Sequence, residues 1–225
     1  MRALAVLICL TGLAGAAAPA ESLDEVLARM DREAAALRKL TARFTKTNFI
    51  AVLNDTSYES GLIWIRKSGK KVEMRGEVTG EDARAFGFRD NKAEIYYPKI
   101  NTVQIYDLGK QRALVDQFLL LGFGSSGTEI ARNYTIKVAG QETIGGRKTT
   151  RLELIPKSQA TLEQIRRVYL WIPEDRGHPV QQQFVQPSGD YYKIVYSDIR
   201  INPDLPDSDF TLKLPPGVKK DYPQK

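Results

Sequence analysis

The chain has 225 residues, 42% apolar and 27% charged, which is the size of one large domain and the composition of an ordinary globular protein. Its 17 glycines and 11 prolines are too few for a fibrous or low-complexity chain, and its single cysteine and single histidine leave little from which to build zinc, thiol or histidine-based catalytic machinery, since such sites need several of these residues converging. The 33 basic and 27 acidic residues give a net charge of +6, spread along the chain without the continuous basic stripe of a nucleic-acid binder. Neither nucleic acid nor a cofactor is expected.

Arg2, the apolar run from Ala3 to Leu13 and the small residues of Ala16-Ala17-Ala18 and Ala18-Pro19-Ala20 have the three parts of a secretory signal peptide. The uncharged stretch is short for a membrane span. Cys9 lies inside the apolar run and is followed by Leu10, which is not the placement of a lipid-anchor cysteine. Residues 1–20 are therefore expected to be removed, leaving a cysteine-free single domain over 21–225.

Ser22-Leu23-Asp24-Glu25 has the form of a capping box. Leu23, Val26, Leu27, Met30, Ala34 and Leu37 follow at helical spacing, predicting an amphipathic helix of about five turns. From Ala42 the pattern turns to short β-branched and aromatic runs: Arg43 to Val52, Tyr58 to Lys67, Lys70 to Glu77, Ala83 to Arg89, Lys92 to Tyr97 and Thr102 to Asp107. Asn54-Asp55, Ser68-Gly69, Gly80, Asp90-Asn91 and Pro98 punctuate them, predicting an antiparallel meander. Leu114, Val115, Phe118, Leu119 and Leu121 then suggest a helical turn or two, ahead of a Gly122-Phe123-Gly124-Ser125-Ser126-Gly127 stretch that reads as flexible. Strands resume over Tyr134 to Ala139, Lys148 to Pro156, Glu163 to Ile172, Pro179 to Gln186 and Tyr191 to Ile201, with a last one at Phe210 to Leu214. The sum is an α+β fold: one highly curved antiparallel sheet with helices on one side.

The glycine-rich stretch matches the G-x-G-x-x-G string, but a dinucleotide site needs that string between a strand and a helix of a βαβ unit, and here it follows a helix. His178 sits in Asp175-Arg176-Gly177-His178-Pro179 and reads as a surface turn residue. Asp204, Asp207 and Asp209 lack the glycine and terminal glutamate of a calcium loop and read as a solvated linker. Arg66, Lys67, Lys70 and Lys71 flank a turn; they read first as a solvated hairpin tip and second as a patch for transient contact with an anionic membrane surface or partner. No nucleophile elbow or distinctive acid pair is present, so no enzyme activity is expected. What remains is apolar surface facing one sheet, whose concavity is either filled by side chains or left open for a ligand.

The ordered set Leu40-Thr41-Ala42-Arg43-Phe44-Thr45-Lys46, Gly61-Leu62-Ile63-Trp64-Ile65-Arg66-Lys67, Ile95-Tyr96-Tyr97-Pro98, Leu152-Glu153-Leu154-Ile155-Pro156-Lys157 and Phe210-Thr211-Leu212-Lys213-Leu214-Pro215-Pro216-Gly217-Val218 resembles the periplasmic outer-membrane lipoprotein carrier family, the LolA-like proteins. The resemblance covers nearly the whole chain from Ser22 to Val218. It implies an unclosed β-barrel covered by helices and a hydrophobic cavity for lipoprotein acyl chains. It also implies a monomeric carrier in the periplasm, running from an inner-membrane release complex to an outer-membrane acceptor. Lys67 falls where the family places a strand-end arginine that binds the lid; it keeps the charge without the planar fork of donors. If Lys67 faces the lid, period-2 alternation puts Ile63 and Ile65 beside it. The expected cavity and lid residues are thus Phe44, Ile63, Ile65, Lys67, Tyr96, Leu114, Phe118 and Leu121. The alternative is a non-catalytic sensor or interaction module of similar fold that binds lipoproteins or a membrane-protein partner.

Overall fold

A computed structural model describes residues 21–69, 71–109 and 121–224; residues 1–20, expected to be a signal peptide, and Leu114 and Phe118 lie outside the described residues. Helix α1 spans Leu23–Ala36, and the capping box closes both ways. Glu25 donates its backbone N–H to the Ser22 hydroxyl at 3.3 Å, and Ser22 donates its own to the Glu25 carboxylate at 2.8 Å. Two orphan donors of the first turn are thereby satisfied. Val26, Met30 and Ala34 are the buried stripe.

Twelve strands form one sheet among the described residues: β1 (Lys39–Ile50), β2 (Asp55–Ser68), β3 (Lys71–Thr79), β4 (Arg84–Arg89), β5 (Lys92–Tyr97), β6 (Thr102–Asp107), β7 (Tyr134–Ile144), β8 (Arg147–Pro156), β9 (Arg167–Pro173), β10 (Gln181–Val185), β11 (Tyr191–Ile201) and β12 (Lys219–Asp221). β1 to β6 and β7 to β11 are two antiparallel meanders, joined where β1 pairs with β11 from Leu40↔Ile201 to Phe49↔Tyr191. β12 adds to β6 in parallel. The order ends in β12 on one side and β7 on the other, so the curved sheet does not close. Helix α2 (Gly127–Asn133) leads into β7, and α3 (Gln159–Leu162) is a single turn before β9.

Several boundaries depart from expectation for identifiable reasons. β1 begins at Lys39 because Leu40 and Ala42, opposite Ile65 and Ile63, are buried core positions. β9 begins at Arg167 because Ile165 donates its N–H to the Thr161 carbonyl at 2.8 Å, continuing the α3 turn instead of a ladder. Phe210 to Leu214 is not a strand. Asp207–Phe210 forms a 3₁₀ turn with Phe210 buried, and Arg75 Nη1 donates to the Asp209 carbonyl at 2.8 Å. The proline-flanked tail cannot supply a regular ladder; it packs on the outer face of β2 and β3, then donates Lys219–Asp221 to the sheet edge. α2 carries a second closed capping box, Ser126 with Glu129, inside the stretch that the glycines mark as flexible.

Directly opposed residues share a face. The chain of pairs Leu152↔Leu170↔Gln182↔Ile194↔Lys46 therefore places the β8 and β9 core on the same face as Phe44. α1 and α2 cover the β8–β10 half of that face, where Val26, Met30 and Ile130 pack with Leu152, Leu154 and Leu170. Burying each such side chain stabilises the fold by about 1.5–3 kcal/mol. The connection from β9 to β10 runs against α1 so closely that a Cβ on Gly177 would stand 2.7 Å from the Arg29 carbonyl oxygen, which tucks the next residue under the helix.

Candidate functional site

Where α1 and α2 leave the β1–β4 half of the inner face uncovered, a cavity of about 380 Å³ remains. The alternation of β2 turns Ile63 and Ile65 inward; Ile65 opposes Met74, and Met74 opposes Phe88. Phe44 on β1, Phe86 on β4, and Phe184 and Ile194 on β10 and β11 complete the apolar wall. Gly76 lies opposite Phe86, and a Cβ there would collide with the Phe86 ring. The missing side chain is what lets that ring lie back against the sheet.

One end of the cavity is plugged. Phe123, 2% exposed, stands edge-on to Tyr196 with ring centroids 4.6 Å apart. Three polar side chains grip the backbone around it. Lys67 Nζ donates to the Gly124 carbonyl at 2.7 Å and reaches the Ala34 carbonyl near the end of α1 at 3.3 Å. Gln182 donates its side-chain amide to the Leu121 carbonyl, while accepting from the Tyr196 hydroxyl at 2.9 Å. His178 bonds the backbone of Gly122, and its Nε2 is 3.1 Å from Glu33 of α1. Burial holds the His178 pKa below the ordinary histidine value; Glu33 and the Gly122 backbone pull the other way and are outweighed. Burial likewise pushes the Tyr196 hydroxyl up, so it acts here as a neutral donor.

The other end is charged. Lys46 and Glu59 oppose each other on β1 and β2, with Lys46 Nζ 3.6 Å from Glu59 and Arg84 Nη2 2.7 Å from the same carboxylate. Burial raises the Glu59 pKa, but the hydrogen bond from Arg84 and the charges of Lys46 and Arg84 outweigh it and hold the carboxyl below its usual range. Beyond this trio an open depression is lined by Asp82, Tyr97, Lys99 and Ile100 and shares Glu59 and Arg84.

Of the residues singled out from the sequence, Phe44, Ile63 and Ile65 line the cavity, and Lys67 grips the segment that follows Leu121. Leu121 is buried in the core beneath α1 and α2. Tyr96 is not with them: it opposes Ala85, whereas Ile95 opposes the inward Phe86, so Tyr96 points to the outer face and its hydroxyl meets Asn101 at 3.2 Å. His178 is no surface residue but 3% exposed, because Gly177 brings the turn under α1. The basic tip divides by the same alternation: Lys67 points inward, and Arg66 points outward into ion pairs with Glu73 and Asp207. Asp207, expected in a solvated linker, thus pins the tail. Phe123, Gln182 and Tyr196 escaped the sequence reading. The Ser126-x-x-Glu129 box was the available sign that the glycine-rich stretch is built rather than loose. Among the described residues no group of three or more His, Cys, Asp or Glu is placed to hold a metal ion, and no helix is long and apolar enough to cross a membrane.

No protein-family model and no curated protein matches the chain; the likenesses are to solved structures. MucB matches over 85% of this chain and 62% of its own at 15% identity, with a TM-score of 0.53, and MucB is also solved in the MucA/MucB complex of Pseudomonas aeruginosa. This chain thus spans less than two thirds of the MucB chain it matches. The Mycobacterium tuberculosis lipoprotein LppX matches over 82% of this chain and 99% of its own at 16% identity, TM-score 0.50. A LolA superfamily protein of Nitrosomonas europaea matches over 86% and 99% at 14% identity, TM-score 0.41. At these identities the likeness is one of fold. The protein shares the fold of MucB and LppX, and its described residues form a single curved, mostly antiparallel sheet that stays unclosed, as the resemblance read from the sequence implied.

Proposed function

We propose that this protein is a periplasmic carrier that shields the acyl chains of lipoproteins, or of another lipid, in the cavity of its inner face and carries them toward the outer membrane, without catalysing a reaction. The observation that carries this reading is the apolar cavity of about 380 Å³ walled by Phe44, Ile63, Ile65, Met74, Phe86 and Phe88, a size within the roughly 300–1,000 Å³ of small-molecule sites. Each methylene withdrawn from water contributes about 0.8 kcal/mol, so even a partly sheltered acyl chain gains enough to be held. The plug combines the buried Phe123 ring with the grips of Lys67, Gln182 and His178 on the neighbouring backbone, so opening it exposes one aromatic side chain and breaks a few hydrogen bonds. Lys67, Leu121 and the cavity wall are the residues assigned to holding the lipid and its gate; transfer partners in the two membranes belong to the same proposal.

The second reading is a module that binds a protein partner, supported by the fold shared with MucB, which is solved in complex with MucA. Mass spectrometry of the organic extract of protein purified from the cell envelope separates the two. Stoichiometric acyl lipid or acylated peptide supports the carrier. A lipid-free protein that also fails to take up an apolar fluorescent probe leaves the partner-binding module.

A further inference from the structure

We infer that the charged end of the cavity is a headgroup subsite, and that the ligand is an amphiphile with an acyl chain and an anionic oxyacid head, a carboxylate or a phosphate. This rests on the carrier reading and places the cargo on its free-lipid branch. The inward positions of β1 and β2 are apolar from Leu40 to Phe44 and from Ile63 to Ile65, then end in a directly opposed Lys46 and Glu59 on the same face. Arg84 joins them from β4. Two cations share one carboxylate, so the trio keeps a net positive charge at the end of an apolar cavity. The Lys46, Glu59 and Arg84 side chains are only 29%, 22% and 24% exposed, which reduces the screening that weakens surface charges.

Hydrogen bonding repeats the imbalance. At 3.6 Å, Lys46 Nζ is too far from Glu59 for a hydrogen bond, and it stands instead 5.6 Å over the Tyr192 ring. Arg84 spends Nη2 on Glu59 and Nη1 on the Asp82 carbonyl at 3.2 Å, out of five donors. An oxyanion arriving beside Glu59 would receive charge-assisted bonds from both cations, while its chain lay along Ile63, Phe86 and Ile194. A neutral head offers these cations no such exchange. Asp82 and Lys99, across the neighbouring depression, balance one another and leave the trio's excess charge in place.

The test is calorimetric binding of three probes by the full protein: hexadecanoate, hexadecyl phosphate and hexadecanol. The anionic probes are expected to bind about tenfold or more tighter than the alcohol, the scale of one charge-assisted hydrogen bond. Glu59→Gln should widen that ratio, and the double variant Lys46→Gln/Arg84→Gln should bring it close to one. A gain shared by both anions supports the subsite, and a gain confined to one supports it and also tells a carboxylate head from a phosphate head. Equal binding of all three probes by the unaltered protein overturns the subsite alone, as does a preference that survives in the double variant. Failure of every probe to bind overturns the carrier reading together with it.

Discussion

The ammonium of Lys67 lies 2.7 Å from the carbonyl oxygen of Gly124, 57 residues further along the chain. This bond ties the end of β2 to the segment that plugs the cavity, and the same ammonium reaches Ala34 in α1. A side chain that alternation turns inward thus links the sheet, the first helix and the plug.

Lys67→Met should release the plug. A hydrogen bond from a charged group contributes about 1.5–3 kcal/mol, so a stability loss of that order is expected, with faster amide exchange at Leu121 to Gly124 than at β8 residues such as Leu152. Stopped-flow uptake of an apolar dye should accelerate. Unchanged protection at Gly124 would mean that Phe123 packing alone holds the segment.

Gly76→Ala should shrink the cavity from behind. The added Cβ meets the Phe86 ring, which is opposed across β3 and β4 and must swing into the cavity. Overpacking of this kind costs about 1–3 kcal/mol; dye affinity should fall several-fold, and titration at equal folded fraction measures it. An affinity equal to the parent's would show that Phe86 does not bound the ligand space.

Leu170→Ala and Phe88→Ala should separate stability from binding. Leu170 is 0% exposed in the core under the helices, so its truncation should cost about 2–5 kcal/mol with little direct effect on ligand contacts. Phe88 is half-buried on the cavity wall; its loss should cost less in urea denaturation and more in dye affinity. The reverse ranking would mean that the cavity is a packed core.

Stability should fall as the solution is acidified below about pH 6.5, the ordinary histidine value. The His178 pKa is depressed in the folded state by burial, against Glu33 and the Gly122 backbone, with Arg176 adding to the depression. The unfolded chain therefore binds the proton first, and stability is lost from the unfolded pKa downward toward the folded one. In His178→Gln the difference in urea midpoint between pH 7.5 and pH 5 should be smaller than in the parent. An identical pH dependence would place the effect on other groups.

Local physics carried much of the fold in the sequence. Ser22 and Glu25 fix the start of α1 because a capping box is satisfied within one turn. Tyr191–Ile201 is a strand because β-branched and aromatic residues fit a pleated surface wherever it lies. Alternation within β2 placed Ile63, Ile65 and Lys67 on one face, and the structure puts the first two on the cavity wall and the third at its plug. Tyr96 failed because alternation gives two faces and no absolute choice between them; only pairing with Ala85 decided it. Phe123 and His178 failed for a different reason. Each follows a glycine, a local sign of exposure, yet Gly177 permits close approach to α1 and Gly122 to Pro179 and Gln182, and burial is then set by elements dozens of residues away. The meeting of Lys46, Glu59 and Arg84 is likewise a product of register: three charges scattered over the chain become one cluster only when β1, β2 and β4 curve around a common space.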